Sequence, residues 1–115
     1  MLDRLFKIVE NKEYNHADFY IANRENKFLR EDILKIYTKD KAFIKITKSW
    51  CIEGGLFRGQ RVDYYRISFF VPDEENSIYT KIIKSNEDKE LYFKIQNLFF
   101  DVKENIKKDA INKYF

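Results

Sequence analysis

Apolar and polar side chains alternate along two stretches in the middle of the chain, 42–52 and 61–71. A two-residue period is typical of a strand that has one face on a core and the other in water. In the first stretch the outward positions are Lys45, Thr47 and Ser49, and in the second they are Tyr64, Arg66, Ser68 and Phe70. Pro72 ends the second stretch because proline cannot continue a strand ladder. With a third β-rich stretch at 77–84, the pattern predicts an antiparallel sheet of at least three strands.

The two ends of the chain have the helical period instead. Leu2, Leu5, Phe6 and Val9 predict a short N-terminal helix that ends near Asn11. Ser85 followed by Asp88 resembles a capping box and predicts that a long C-terminal helix spans about 86–113. Its main apolar stripe, which should cover the sheet, comprises Leu91, Ile95, Leu98, Phe99, Val102 and Ile106. The fold class predicted is therefore α+β, with the sheet packed against the long helix.

A second apolar row lies on the opposite side of the same helix and consists of Phe93, Phe100 and Ile111. An unbroken helix to Lys113 would be roughly 40 Å long at 1.5 Å per residue. That is longer than a compact domain of this size needs, so either the helix breaks or its back meets a partner. We interpret the row as a second interface, and a homodimer through the C-terminal helix is one form that it can take.

The segment Glu13–Asp40 is ambiguous, because 19–21 and 33–37 fit either a strand or part of a helix. The acids of Arg30-Glu31-Asp32 favour a helix start, where negative charge meets the positive end of the helix dipole. Two helices here would give the front half the outline of a helix-turn-helix. This is a likeness of topology and is not carried by a specific motif.

Length and composition predict one domain over residues 1–115 that works without a cofactor. Cys51 is the only cysteine and His16 the only histidine, so neither an internal disulfide nor a histidine–cysteine metal site can form. No nucleophile elbow or phosphate-binding glycine loop is present. We therefore expect a protein that is not an enzyme. The absence of a signal-peptide core and of a long apolar run predicts a cytoplasmic protein without membrane contact.

Positive charge is concentrated in the middle of the chain, although the formal net charge is only +3. Residues 35–66 hold eight basic and three acidic side chains, a net of +5. The same region contains every glycine, in the connection 53–61, which places Leu56 and Phe57 at a loop tip. Basic groups beside aromatic rings on a sheet are suited to phosphates and bases. The residues predicted to bind nucleic acid or another partner are Lys45, Lys48, Phe57, Arg58, Arg61, Tyr64 and Arg66.

Two functions fit this pattern. The first is a small protein that binds DNA or RNA through a basic, aromatic β-hairpin and sheet face. The alternative is a small inhibitor that blocks a larger, nucleic-acid-handling protein, such as a phage or mobile-element anti-defence factor or an immunity protein. An apolar and basic loop tip and the second helix row favour this alternative, because buried aromatic and arginine anchors dominate protein interfaces.

Overall fold

The computed structural model describes residues 1–23, 30–55 and 57–115. The chain forms an α+β fold, as the periodicity predicts. Along the sequence a short helix comes first, five antiparallel strands follow, and a long helix comes last. The elements are α1 (Leu2–Glu10), β1 (His16–Asn23), β2 (Arg30–Tyr37), β3 (Phe43–Glu53), β4 (Gln60–Phe70), β5 (Tyr79–Lys84) and α2 (Lys89–Tyr114). The three predicted strands correspond to β3, β4 and β5.

The sheet is a meander in which each strand pairs with the next, in the order β1-β2-β3-β4-β5. Ile36 lies opposite Ile44, which in turn lies opposite Phe69. Residues that are directly opposite share a face, so this register carries the alternation of each strand across the whole sheet. The centre of one face therefore becomes apolar.

The ambiguous segment forms β1 and β2, so the helix-turn-helix outline is wrong. The expected helix start at Arg30-Glu31-Asp32 is the beginning of β2. Leu34 and Ile36 on this strand are fully buried between β1 and β3. Burial of these side chains in the sheet outweighs the local preference of the acids for a helix end, and Glu31 itself lies 3.6 Å from the guanidinium of Arg66.

Both helices pack on the apolar face of the sheet, which we call the helix face. The core cluster on this face comprises Leu5, Leu34, Ile36, Ile44, Ile46, Tyr65, Ile67, Phe69, Ile83, Tyr92, Ile95, Leu98, Phe99 and Val102. Helix α2 crosses the sheet from β4, where Tyr92 contacts Tyr65, to β1, where Phe99 contacts Phe19. The core therefore ties the central strands to one edge of the sheet.

Helix α2 begins later than predicted and does not break. Its N-cap is Asp88, whose Oδ1 accepts the backbone N–H of Leu91 at 3.1 Å, so Ser85 lies outside the helix. The predicted stripe faces the core, and Tyr92 joins it. The second row stays on the outer surface, with Phe93, Phe100 and Ile111 each more than half exposed. Among the described residues, no helix combines the length and apolar character needed to span a bilayer.

Candidate nucleic-acid interface

The face of the sheet opposite the two helices, here called the open face, carries the side chains that the alternation predicts to point outward. Lys45 lies opposite Ser68, Thr47 opposite Arg66, and Ser49 opposite Tyr64. The pairing with β2 adds three residues to the same face, Ile33 beside Thr47, Lys35 beside Lys45 and Tyr37 beside Phe43. The open face thus combines basic, hydroxyl and aromatic groups contributed by neighbouring strands.

Four rings from four successive strands form an aromatic row across one end of the open face. His16 stacks on Tyr37 with ring centroids 4.4 Å apart, and Phe43 stacks on Phe70 at 4.6 Å. Tyr37 and Phe43, which join the two pairs, are 5.7 Å apart and tilted by 40°. Stacked and tilted arrangements at these distances are favourable between aromatic side chains. The row leaves the imidazole of His16 exposed at one end.

Next to the aromatic row lies a cationic cluster formed by Lys35, Lys45 and Arg66. Lys35 and Lys45 are directly opposite each other on β2 and β3. Partial burial lowers the pKa of Lys45 below its ordinary value, and the positive charges of Lys35 and Arg66 lower it further, while Glu31 acts in the opposite direction. Like charges placed directly opposite destabilise a sheet, so this cluster works against folding.

Among the described residues, Arg66 is the member of the cationic cluster that has a carboxylate within ion-pair distance, while Asp18 is the cross-strand partner of Lys35 on β1. Arg66 lies 3.6 Å from Glu31, whereas the ion pairs of residues 1–23, 30–55 and 57–115 include neither lysine. Lys35 instead places its ammonium 5.1 Å from the centre of the Phe43 ring and 5.8 Å from that of Tyr20. The cationic cluster and the aromatic row are therefore in contact and form one surface.

The structure divides the predicted binding residues among three places. Lys45, Tyr64 and Arg66 lie on the open face, although Tyr64 is only 8% exposed. Lys48 and Arg61 lie on the helix face, because their partners there are Tyr65 and Ile52. Arg61 stacks over Trp50 at 4.9 Å and pairs with Asp63 at 3.1 Å.

The remaining two, Phe57 and Arg58, are exposed at the tip of the β3–β4 loop, and Phe57 has 98% of its surface in solvent. Leu56, the other predicted tip residue, is outside the described residues. Eight residues of β3 separate Lys45 from Glu53 at the base of this loop, a span of about 26 Å at 3.3 Å per residue. The loop tip and the cationic cluster cannot contact the same short segment of a partner.

Gly54 and Gly59 lie at closely packed positions of this loop. Gly54 has a φ of 115°, and a Cβ at this position would lie 2.7 Å from the carbonyl oxygen of Arg58. A Cβ on Gly59 would lie 2.6 Å from Cγ2 of Ile52. A Cβ at Gly54 would meet backbone in a strained conformation, whereas a Cβ at Gly59 would meet a side-chain methyl of the exposed Ile52, so the packing constraint on the loop is strongest at Gly54.

Replacing Gly54 by alanine is expected to lower the free energy of unfolding by about 1–3 kcal/mol, since an L-residue is strained at this φ and its methyl group meets backbone. Urea denaturation of the variant measures the loss. Gly55→Ala is the matched control, because no atom lies within 4 Å of the Cβ position of Gly55. Equal stability of the two variants would contradict this account of the loop.

Four residues of the open face are absent from the predicted binding set, namely Lys35, Tyr37, Phe43 and His16. The sequence indicates two of them in 33–37, where Lys35 and Tyr37 alternate with the buried Leu34 and Ile36 as on a strand. This alternation places the two side chains on one face only if the segment is a strand, and its sequence also fits a helix. The contact between His16 and Tyr37 further depends on the register of β1, which local sequence does not specify.

Compared with protein-family models, with curated proteins and with solved structures, the chain shows no match. Within the residues that the structure describes, no three His, Cys, Asp or Glu side chains are grouped so that they could hold a metal ion. The open face is therefore the feature from which we infer a function.

Proposed function

We propose that this protein binds single-stranded nucleic acid across the open face of its sheet. Lys35, Lys45 and Arg66 would contact phosphates, and the aromatic row would pack against bases. The observation that supports this most strongly is the direct opposition of Lys35 and Lys45 on adjacent strands, beside the half-buried Phe43 ring.

An anionic ligand gives the cationic cluster a physical role. Without a ligand, burial and then the charges of Lys35 and Arg66 lower the pKa of Lys45, and the repulsion between the opposed lysines favours the unfolded chain. A phosphate between the two ammonium groups would replace that repulsion with two attractive contacts. Such contacts also release condensed counterions from the nucleic acid, which is the main source of affinity for phosphate-binding surfaces.

The aromatic row favours a single strand over a duplex. Bases of a duplex are paired and stacked, so their faces are not available to protein rings, whereas a single strand can place its bases on a sheet surface. Stacking of this kind contributes about 1–3 kcal/mol per base and tolerates any sequence. Both helices lie on the helix face, so neither would block a nucleic-acid strand from the aromatic row.

Fluorescence anisotropy with labelled single-stranded DNA, single-stranded RNA and duplex DNA tests the proposal. We expect tighter binding to one or both single strands than to the duplex, with an affinity that falls steeply as salt is raised. Three phosphate contacts predict a slope of log affinity against log salt of about −2, at roughly 0.7 per contact for single strands. Absence of binding at low salt, or equal binding to the duplex, would exclude this function.

The alternative, a small inhibitor of a larger protein, is supported by a different part of the molecule. Phe57 is almost fully exposed next to Arg58, on a loop that close packing holds in place. An exposed aromatic side chain with an adjacent arginine resembles the anchors that dominate protein interfaces. Nuclease-resistant co-purification of a native-host protein that is lost in Phe57→Ala, together with no oligonucleotide binding, would favour this function.

A further inference from the structure

The two edges of the sheet differ in how well they are protected against pairing with another strand. Strand β5 is six residues long and includes Lys81 and Lys84. Strand β1 is eight residues long, lacks lysine, arginine and proline, and has Asp18 as its only carboxylate. Charged side chains, especially lysine, and short length are the usual means by which an edge strand resists association. By these criteria β1 is the unprotected edge.

Helix α2 covers the first half of β1 and leaves the second half exposed. The ammonium of Lys103 lies 4.4 Å from the centre of the Phe19 ring, and Phe99 packs on the same ring. Two residues further along β1, on the same helix face, Ile21 is 50% exposed. Because β1 is an edge strand, a further strand paired with it would cover Ile21 and extend the core.

A groove of mixed polarity, whose lining includes the charged Lys108, Asp109 and Lys113, lies at the other end of β1. It has a volume of about 710 Å³ and is formed between the start of β1 and the last turns of α2. Ala17, Ile106, Ala110 and Tyr114 are among the residues that line it. From Lys107 onward every residue of α2 is exposed, so the helix continues beyond the part that packs on the core.

We propose that the protein forms a two-fold dimer in which β1 pairs antiparallel with β1 of a second copy. A two-fold axis brings the end of one β1 beside the start of the other, so that Ile21 of each copy enters the groove of its partner. A register centred on Phe19 sets Ile21 opposite the partner's Ala17, whose small side chain leaves room. Asp18 then faces the partner's Tyr20, so the carboxylate of β1 meets no like charge on the partner's β1.

This pairing would join two five-stranded sheets into one continuous sheet with both open faces on the same side. It gives the exposed end of α2 a function, since Ala110 and Tyr114 line the groove. The dimer can be tested without nucleic acid, and its edge strand, β1, adjoins the open-face site through His16 of the aromatic row.

Light scattering coupled to gel filtration of the full chain, without nucleic acid, tests the dimer. We expect a mass twice that of the chain at micromolar concentration and a monomeric mass for Ile21→Lys, which adds a charge to the edge. Ile82→Lys is the matched control, since Ile82 is 49% exposed on the other edge strand. It should leave the mass doubled.

Hydrogen exchange of the unaltered protein is a second measurement that does not depend on a variant folding. Backbone amides of β1 should become more protected as protein concentration rises, while those of β5 should not change. A monomeric mass up to millimolar concentration, a doubled mass that Ile21→Lys leaves unchanged, or added protection at β5 instead of β1 would each overturn the proposal.

Discussion

Replacing Lys35 and Lys45 together by glutamine is expected to weaken single-strand binding about tenfold at physiological salt, without loss of stability. Removing two phosphate contacts should also reduce the magnitude of the salt slope by about 1.4. Glutamine keeps the length and polarity of the side chain, so the change isolates the charge. Anisotropy titrations over a series of salt concentrations measure both effects.

The stability of the same variant separates a ligand site from a structural one. Opposed like charges destabilise a strand pair by about 0.2–1 kcal/mol, so the double variant should be as stable as the parent or slightly more stable in urea denaturation. A structural role of the two lysines would instead make their removal destabilising. Loss of binding together with unchanged or increased stability is therefore the expected combination.

The pH dependence of stability gives an independent check on Lys45. Its pKa is lowered on folding from 10.5, so the folded protein releases this proton before the unfolded chain does. Between the lowered pKa and 10.5 the unfolded state binds more protons, and stability therefore rises with pH. The advantage of Lys45→Gln over the parent should be full at neutral pH and shrink as the pH rises through the lowered pKa.

A lysine on the other face provides the control for both measurements. Lys81 is an exposed strand residue opposite Ile67, on the helix face. Lys81→Gln changes the net charge by the same amount as a single open-face replacement, but it should leave the affinity nearly unchanged. Equal losses from Lys45→Gln and Lys81→Gln would show that binding follows total charge and not the cationic cluster.

The parts of the fold that sequence predicts well are those in which local pattern and tertiary burial agree. The bounds of β3, β4 and β5 differ from the predicted ones by no more than two residues. At the centre of β3 and β4 every second side chain belongs to the core, so the alternation is visible in the sequence of both strands. The main stripe of α2 is predicted for the same reason, since a helix that covers a sheet must be apolar on one side.

Strand β2 shows why the remainder could not be predicted. Ile33, Leu34 and Ile36 are all buried, so the strand reads as an apolar run that does not alternate and also fits a helix. Its acids sit where a helix would begin, yet Glu31 contacts Arg66 two strands away. That contact is set by the register of β2 on β3 and β3 on β4, which no local pattern contains.

For a related reason, the sequence predicts only part of the candidate site. Alternation assigns Lys45 and Arg66 to one face, but the same rule places Lys48 and Arg61 on the other. Counting basic residues along 35–66 treats all of them as one patch, whereas a strand divides its neighbours between two faces. The cationic cluster becomes visible only when Lys35 is added from β2 by cross-strand pairing.

Phe99→Ala is expected to lower the free energy of unfolding by about 3–5 kcal/mol, the largest stability change that we predict for a single side chain. The Phe99 ring is 5.6 Å from that of Tyr65 on β4 and 6.2 Å from that of Phe19 on β1. It therefore links a central strand to an edge strand through the helix. Its removal would leave a cavity and weaken the attachment of β1 to the core.

Phe100→Ala is the matched control, because it deletes the same ring from the next residue of the same helix, where 60% of the side chain is exposed. In dilute solution this change should stay within about 0.5 kcal/mol of the parent, as is usual for surface positions. Urea denaturation of the two variants should therefore differ by several kcal/mol. Equal losses of stability in the two variants would mean that both rows of α2 are buried. A partner that covers Phe93, Phe100 and Ile111 would explain that result.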